Sequence, residues 1–206
     1  MMGRLPPDFQ QRSHELIEAG HYLFQQGWVP ATSGNFSARL SDGTIAITVS
    51  GRHKGRLHSG DIMVIDSSGQ AQMSTQRPSA ETPLHTLLYR LYPEVGAVLH
   101  THSLTATLLS RAAGPTMRFA GYELLKAFAG ITTHKTAIVI PNFPNDQDID
   151  RLSTVVENYL EMNGPIYGYL INGHGLYTWG RSVDEALRHV EAFEFLFQCE
   201  LHAYRG

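Results

Sequence analysis

The spacing of hydrophobic positions divides the chain into helices and strands. Apolar residues recur every three or four positions in four long segments, which we predict to be helices: 8–26, 79–92, 145–163 and 182–204. Two shorter helices are predicted over 103–109 and 121–128. Alternating or wholly apolar segments rich in β-branched residues predict strands at the end of 32–39 and over 44–50, 61–66, 95–102, 135–140, 166–172 and 176–179. Several strands follow one another near the start without helices between them, which favours a largely antiparallel sheet covered by helices.

Prolines and capping residues predict where several elements begin and end. Pro93 follows the helix over 79–92, and Asn145 is expected to cap the next long helix. Ser182-Val-Asp-Glu185 forms a capping box for the last helix. Pro141 is expected to end the strand that precedes it, because proline has no backbone donor.

Composition restricts the class of protein. With 206 residues, 42% hydrophobic and 17% charged, the chain suits a single globular domain over 1–206. A net charge of −3 without runs of like charge disfavours nucleic acid and membrane surfaces as partners. The single cysteine, Cys199, cannot form an intrachain disulfide, and neither a signal-like start nor an 18-residue apolar window is present. We therefore expect a cytoplasmic protein.

Three histidines form a candidate metal site. His100 and His102 end an apolar strand, and side chains two residues apart in a strand project to the same side. His174 lies between two glycines in a predicted strand–turn–strand, where the backbone can approach another element closely. Polar edge residues and an ordinary turn residue are the alternative interpretations. Taken together, the three suit a catalytic zinc site with one open position, although manganese, iron and cobalt stay open.

Two further polar residues lie on one face of the helix over 79–92. Glu81 and His85 are four positions apart, so their side chains share that face. Either residue could supply a fourth ligand or a base, and Glu81 could equally be an acidic residue favoured at a helix start. His85 is expected to be an ordinary polar residue.

Short polar motifs in the first half indicate a phosphate subsite. Glycines expose backbone N–H groups, hydroxyls add donors, and a helix start favours anions. The residues with these properties, together with one lysine as a point charge, are Gly34, Asn35, Ser50, Gly51, Lys54 and Ser79. Each motif alone is equally typical of a plain turn. Beside a candidate metal site, the set predicts a small phosphorylated substrate.

The order of these motifs resembles the class II aldolase/adducin family over residues 10–204. The matching stretches are Ser33-Gly-Asn-Phe-Ser37, Ser50-Gly51, Asp61-Ile-Met-Val-Ile-Asp66, Pro78-Ser-Ala-Glu-Thr-Pro83, His100-Thr-His102 and His174-Gly175. The resemblance implies an α/β fold of three α/β/α layers around a central, largely antiparallel mixed sheet. It also implies a homotetramer with active sites near subunit boundaries.

Within the family, residues 50–55 (SGRHKG) and 121–128 (GYELLKAF) resemble a dehydratase branch that acts in methionine salvage. This implies one Zn²⁺ per subunit on His100, His102 and His174, with Glu123 as the catalytic acid and base. The implied reaction removes water from a five-carbon ketose 1-phosphate that carries a methylthio group. By itself, Glu123 would be interpreted as a helix-start carboxylate.

Two other functions remain open from the sequence. In the aldolases of this family, the position of Glu81 holds a glutamate that acts as ligand and base, so a sugar-phosphate aldolase or epimerase stays possible. A non-catalytic, adducin-like interaction module is the second alternative. The intact set of His100, His102 and His174 argues against that module, because it need not keep metal ligands.

Overall fold

The computed structural model describes residues 5–203, so the predicted end of the last helix near Tyr204 lies outside the described part. The helices are α1 (Phe9–Gln25), α2 (Thr82–Leu91), α3 (Leu104–Ala112), α4 (Ile149–Asn163) and α5 (Val183–Ala203). The strands are β1 (Asn35–Arg39), β2 (Ile45–Thr48), β3 (Ile62–Ile65), β4 (Ala71–Gln72), β5 (Ala97–Thr101), β6 (Thr116–Ala120), β7 (Ala137–Phe143), β8 (Gly168–Ile171) and β9 (Gly175–Gly180). Within 5–203, no helix combines the length and the apolar character needed to cross a membrane.

The nine strands form one sheet in the order β4-β3-β2-β1-β5-β9-β8-β7-β6. Every neighbouring pair is antiparallel except β7 and β8, which are parallel. The predicted largely antiparallel mixed sheet is therefore confirmed. Its central strands, β5 and β9, pair over five residues, with His100 opposite Tyr177.

Helices cover both faces of the sheet. On one face, α2 and α4 bury Leu88 and Val156 against strand residues such as Ile47. On the other face, α1 and α5 bury Leu16 and Val190 in a second cluster, and α3 joins α5 in a third. The expected three-layer α/β/α architecture is confirmed. Apolar burial on both faces is the main force that holds the layers together.

Two predicted boundaries are wrong, and each has a local cause. Pro141 does not end its strand: β7 pairs with β6 as far as Pro141 and with β8 from Asn142 onward. The proline therefore lies where the strand changes partner, and the chain continues in β conformation. The third long helix begins at Ile149 and not near Asn145, because the Asp148 side chain accepts a hydrogen bond from the Arg151 N–H at 3.0 Å.

Four further elements differ from the sequence-based expectation. Helix α2 begins at Thr82, so Ser79 lies in the turn before it. The segment over 121–128 forms a 3₁₀ turn, Glu123–Ala127, in place of an α-helix. The edge strands β4, of two residues, and β6, of five residues, were not predicted.

Candidate active site

Pairing of β5 with β9 brings the three predicted histidines together. His100 lies in β5, His102 follows it, and His174 lies in the tight turn between β8 and β9. The Nε2 atom of His100 lies 2.8 Å from that of His102 and 3.3 Å from that of His174. The remaining Nε2 pair, His102 and His174, is 3.2 Å apart. In tetrahedral zinc sites, ligand nitrogens are separated by about 3.3 Å, so one small cation fits among these three.

A hydrogen bond to the backbone identifies the tautomer of His100. Its Nδ1 lies 2.9 Å from the carbonyl oxygen of Leu176, which can only accept, so Nδ1 carries the proton. The Nε2 lone pair is therefore free and points at the other two imidazoles. Burial is the main cause that holds the pKa of His100 well below its usual range, and burial likewise lowers the pKa of His102 to about 2. Neutral imidazole is the form that binds metal.

Two glycines allow the backbone to approach this cluster closely. A Cβ at Gly175 would lie 1.9 Å from the carbonyl oxygen of Thr101, so no side chain fits there between β5 and β9. A Cβ at Gly34 would lie 2.6 Å from the carbonyl oxygen of His100, and Gly34 has φ of +76°. The turn that carries His174 and the segment before β1 therefore both pack directly against β5, the strand that carries His100.

Glu81 completes the cluster from the start of α2. Its Oε1 lies 3.2 Å from His174 Nε2, and its Oε2 lies 3.3 Å from His100 Nε2. One ligand atom from each of Glu81, His100, His102 and His174 lies within 4.8 Å of all the others. Three imidazole nitrogens and one carboxylate form a donor set that suits Zn²⁺ and other divalent transition metals.

A cavity of about 520 Å³ opens beside the histidines. All six residues predicted to bind phosphate line it, in the company of Glu81, His102 and His174: Gly34, Asn35, Ser50, Gly51, Lys54 and Ser79. The structure therefore brings the predicted anion subsite and the histidine cluster together around one cavity. Whether these residues hold phosphate stays a prediction.

Lys54 is the buried cation of this cavity. Its ammonium group donates hydrogen bonds to the carbonyl oxygens of Thr32 at 3.1 Å and Arg52 at 2.7 Å. Burial lowers its pKa to about 8, and the nearby Asp61 carboxylate opposes that shift. A third N–H of the ammonium group stays available to an anion.

Asn35 lines the same cavity, but its side-chain amide is already bound within the protein. Its Nδ2 donates to Glu81 Oε2 at 2.7 Å, and its Oδ1 accepts from His85 Nε2. Tyr177 also donates to Glu81 Oε2, at 2.9 Å. The side chain of Asn35 is thus bonded to Glu81, a contact that the sequence did not indicate.

Glu123 lies apart from this cluster within the chain. It begins the 3₁₀ turn after β6, is not among the residues that line the cavity, and its side chain is 70% exposed. It is paired with Lys126 and lies 3.3 Å from His134 Nδ1. The hydrogen bond from Lys126 is the main cause that lowers the pKa of its carboxyl group. Its predicted catalytic role stays a prediction.

Sequence reasoning missed two residues that shape the site. Tyr177 stacks on the His100 ring, with centroids 3.9 Å apart, and His85 is fully buried. The four-residue spacing from Glu81 was a signal for His85, but it did not show that Asn35 lies between them. The position of Tyr177 follows from the pairing register of β5 and β9, which no local pattern encodes.

Comparison with known proteins agrees with this geometry. A family model described as Class II Aldolase and Adducin N-terminal domain matches residues 14–201. The chain is 60% identical to methylthioribulose-1-phosphate dehydratase of Methylococcus capsulatus over 193 residues, which cover 94% of each protein. It is 56% identical to the dehydratase of the same name from Hahella chejuensis over 199 residues, which cover 96% of each.

Solved structures show the same fold. YgbL from Escherichia coli superposes with a TM-score of 0.78 at 24% identity, over 93% of this chain and 88% of that one. An L-fuculose-1-phosphate aldolase from Thermus thermophilus superposes with a TM-score of 0.75 at 24% identity, over 94% and 96% of the two chains. On the family match and the identities to these relatives, the chain belongs to the class II aldolase and adducin family.

Proposed function

We propose that this protein is a lyase that dehydrates 5-methylthioribulose 1-phosphate to 2,3-diketo-5-methylthiopentyl 1-phosphate, as a cytoplasmic step of methionine salvage. The observation that carries the proposal is a three-histidine cluster beside a donor-lined cavity, in a chain 53–60% identical to dehydratases of that name. We further propose that residues 1–206 act as one domain.

The substrate phosphate would bind in the cavity beside the histidines. Its ligands would be backbone N–H groups and hydroxyls of the loops before β1, after β2 and before α2, with one buried ammonium group: Gly34, Asn35, Ser50, Gly51, Ser79 and Lys54. Since Lys54 is fully buried and held by two carbonyl oxygens, its charge stays in place for the phosphate. Bound at the phosphate, the sugar carbons would extend toward His102 and His174.

The chemistry requires removal of a proton at C3 and loss of the hydroxyl at C4. Zn²⁺ held by His100, His102 and His174 would act as a Lewis acid toward the C2 carbonyl and make the C3 proton more acidic. Glu123 would take that proton and return it to the C4 hydroxyl, which leaves as water. The resulting enol becomes the diketone by a proton shift.

Glu123 would act in the site of a neighbouring subunit of a homotetramer. Its exposed side chain, and the fact that it does not line the cavity of its own chain, support this arrangement. Glu123→Gln should leave metal content unchanged and lower turnover by about 10²- to 10⁴-fold. Normal turnover by this variant would refute the role.

Subunit complementation tests the shared site directly. His174→Ala removes a metal ligand and Glu123→Gln removes the proposed acid, so each homotetramer should be inactive. Unfolding and refolding the two together should restore a fraction of wild-type turnover, because some mixed sites receive both intact residues. No recovery from verified mixed tetramers would place both residues in the site of one chain and contradict the proposal.

The product distinguishes the dehydratase from a sugar-phosphate aldolase or epimerase. The location of Glu81 beside the histidines favours that alternative, because a carboxylate near the cation can act as a base. Mass analysis after incubation with methylthioribulose 1-phosphate should show loss of one water. Two carbonyl fragments, or an isomer of unchanged mass, would refute dehydration.

A further inference from the structure

A buried chain of hydrogen bonds runs from the interior of the protein to Glu81. The hydroxyls of Tyr89 and Ser37 are 2.8 Å apart, and Ser37 Oγ lies 2.7 Å from His85 Nδ1. His85 Nε2 contacts Asn35 Oδ1, and Asn35 Nδ2 lies 2.7 Å from Glu81 Oε2. Ser37 and His85 are fully buried, while Tyr89 and Asn35 are each 5% exposed. Five side chains from β1 and the α2 region thus form one continuous path.

The chemistry of each group gives this path one direction. An ionised carboxylate only accepts, so the Asn35 amide must donate its Nδ2–H and turn Oδ1 toward His85. Oδ1 also only accepts, which makes His85 the neutral tautomer with its proton on Nε2. Its Nδ1 then accepts from the Ser37 hydroxyl, and Ser37 in turn accepts from Tyr89. Burial lowers the pKa of His85 to about 4, which keeps this tautomer neutral.

The end of the path sets which carboxylate oxygen is free. Oε2 of Glu81 accepts from both Asn35 and Tyr177. Oε2 also lies 3.3 Å from His100 Nε2, whereas Oε1 takes part in neither hydrogen bond and lies 3.2 Å from His174 Nε2. A carboxylate held in this way keeps one lone-pair-bearing oxygen directed at the histidine cluster.

We propose that His85 and Asn35 are positioning residues that orient Glu81, so that its Oε1 faces the cation site. This inference rests on the cation site of the proposed function, but not on the identity of the substrate. It assigns a role to a buried histidine that belongs neither to the residues lining the cavity nor to the cluster of Glu81, His100, His102 and His174. Tyr89 and Ser37 act one step further back, by fixing the tautomer of His85.

Binding of Co²⁺ in the absence of substrate tests the proposal. His85→Leu removes both ring nitrogens, whereas His85→Gln keeps a donor near the position of Nε2. We expect His85→Leu to weaken Co²⁺ binding roughly 10- to 100-fold and to change the visible absorption spectrum of the bound ion. His85→Gln should keep affinity and spectrum close to those of the wild type. Equal losses in both variants would refute the positioning role.

A double-mutant cycle separates positioning from general destabilisation. In the Glu81→Gln background no carboxylate remains to be oriented, so His85→Leu should have little further effect on Co²⁺ affinity. The same fold-loss in both backgrounds would overturn the inference. If His85→Leu does not fold, Ser37→Ala carries the same cycle, because it removes the donor to Nδ1 while changing little volume.

The tautomer of His85 can be measured in the metal-free protein, and this measurement depends on neither cation nor substrate. Long-range ¹H–¹⁵N spectra should show His85 as the neutral tautomer protonated at Nε2 in the wild type. The Ser37→Ala variant should contain a larger share of the other tautomer. A wild-type His85 protonated at Nδ1 would reverse the direction of the path and refute the proposal. Failure of Co²⁺ to bind the wild type would instead refute the proposed cation site.

Discussion

Two stacked tyrosines beside the histidine cluster allow the effect of the Tyr177–Glu81 hydrogen bond to be separated from the effect of packing. Tyr169 and Tyr177 face each other across β8 and β9, are both fully buried, and have ring centroids 5.0 Å apart. The Tyr177 hydroxyl donates to Glu81 Oε2 at 2.9 Å. The Tyr169 hydroxyl has no partner within the described residues. A Phe substitution at each position therefore removes the same atom from two different environments.

The expected magnitudes follow from this difference. A hydrogen bond to a charged group contributes about 1.5–3 kcal/mol. Glu81 keeps the bond from Asn35 and its side chain is 13% exposed, so Tyr177→Phe should cost an amount near the lower end, about 1.5 kcal/mol. For a chain of this size, that corresponds to a fall in Tm of roughly 3–6 °C. Tyr169→Phe should leave Tm unchanged or raise it, because it removes a buried hydroxyl without a partner.

Calorimetry on metal-free protein, with a chelator present, is the assay. The chelator prevents a change in metal affinity from being counted as a change in folding stability. Near-ultraviolet circular dichroism of both variants would verify that the aromatic stack is kept. A fall in Tm for Tyr169→Phe as large as that for Tyr177→Phe would refute the reasoning, since the loss would then come from packing and not from the bond to Glu81.

Two further predictions concern the strand pair and a buried acid. Gly175→Ala should lower the free energy of unfolding in urea by about 1–3 kcal/mol, because the new Cβ would clash with the Thr101 carbonyl oxygen. As a control, Gly114→Ala should change the free energy of unfolding by less than about 0.5 kcal/mol, because no atom lies within 4 Å of the new Cβ. Burial raises the pKa of Glu194 to about 7 from its usual 4.5, so the folded chain retains a proton that the unfolded chain releases, and stability falls as pH rises through that window. Glu194→Gln should flatten this decrease by an amount on the order of 3 kcal/mol, and an unchanged pH profile would contradict the assignment.

The parts of the fold that depend on local pattern were predictable. Strand periodicity of two placed His100 and His102 on one side, and the N-cap of α3 at Ser103 follows from residue type alone. The continuation of β7 through Pro141 was not predictable in this way. A proline breaks a strand only where its missing N–H is needed, and that depends on which strand lies on each side. Those neighbours are set by the order of the whole sheet.

The candidate site likewise contains features that local sequence predicted and features that depend on long-range contacts. The sequence indicated the candidate metal ligands, the predicted phosphate-binding residues and the two glycines that flank His174. It did not indicate that Asn35 bridges Glu81 and His85, because this contact joins β1 to the α2 region across 46 and 50 positions. His85 was interpreted as an ordinary polar residue, although one turn separates it from Glu81. The position of Tyr177 opposite His100 depends on the long-range pairing register of β5 and β9, so it could not be predicted from local sequence.

The two candidate catalytic carboxylates, Glu81 and Glu123, differ in environment, and this difference bears on assembly. Glu81 accepts two hydrogen bonds at one oxygen and lies beside the histidine cluster. Glu123 is exposed, and Lys126 favours its ionised form in the single chain. An acid–base group works best with a pKa near the working pH, and burial is what raises the pKa of a carboxyl group. Under the proposed mechanism, a neighbouring subunit that covers Glu123 would therefore both deliver it to the substrate and shift its pKa toward neutrality.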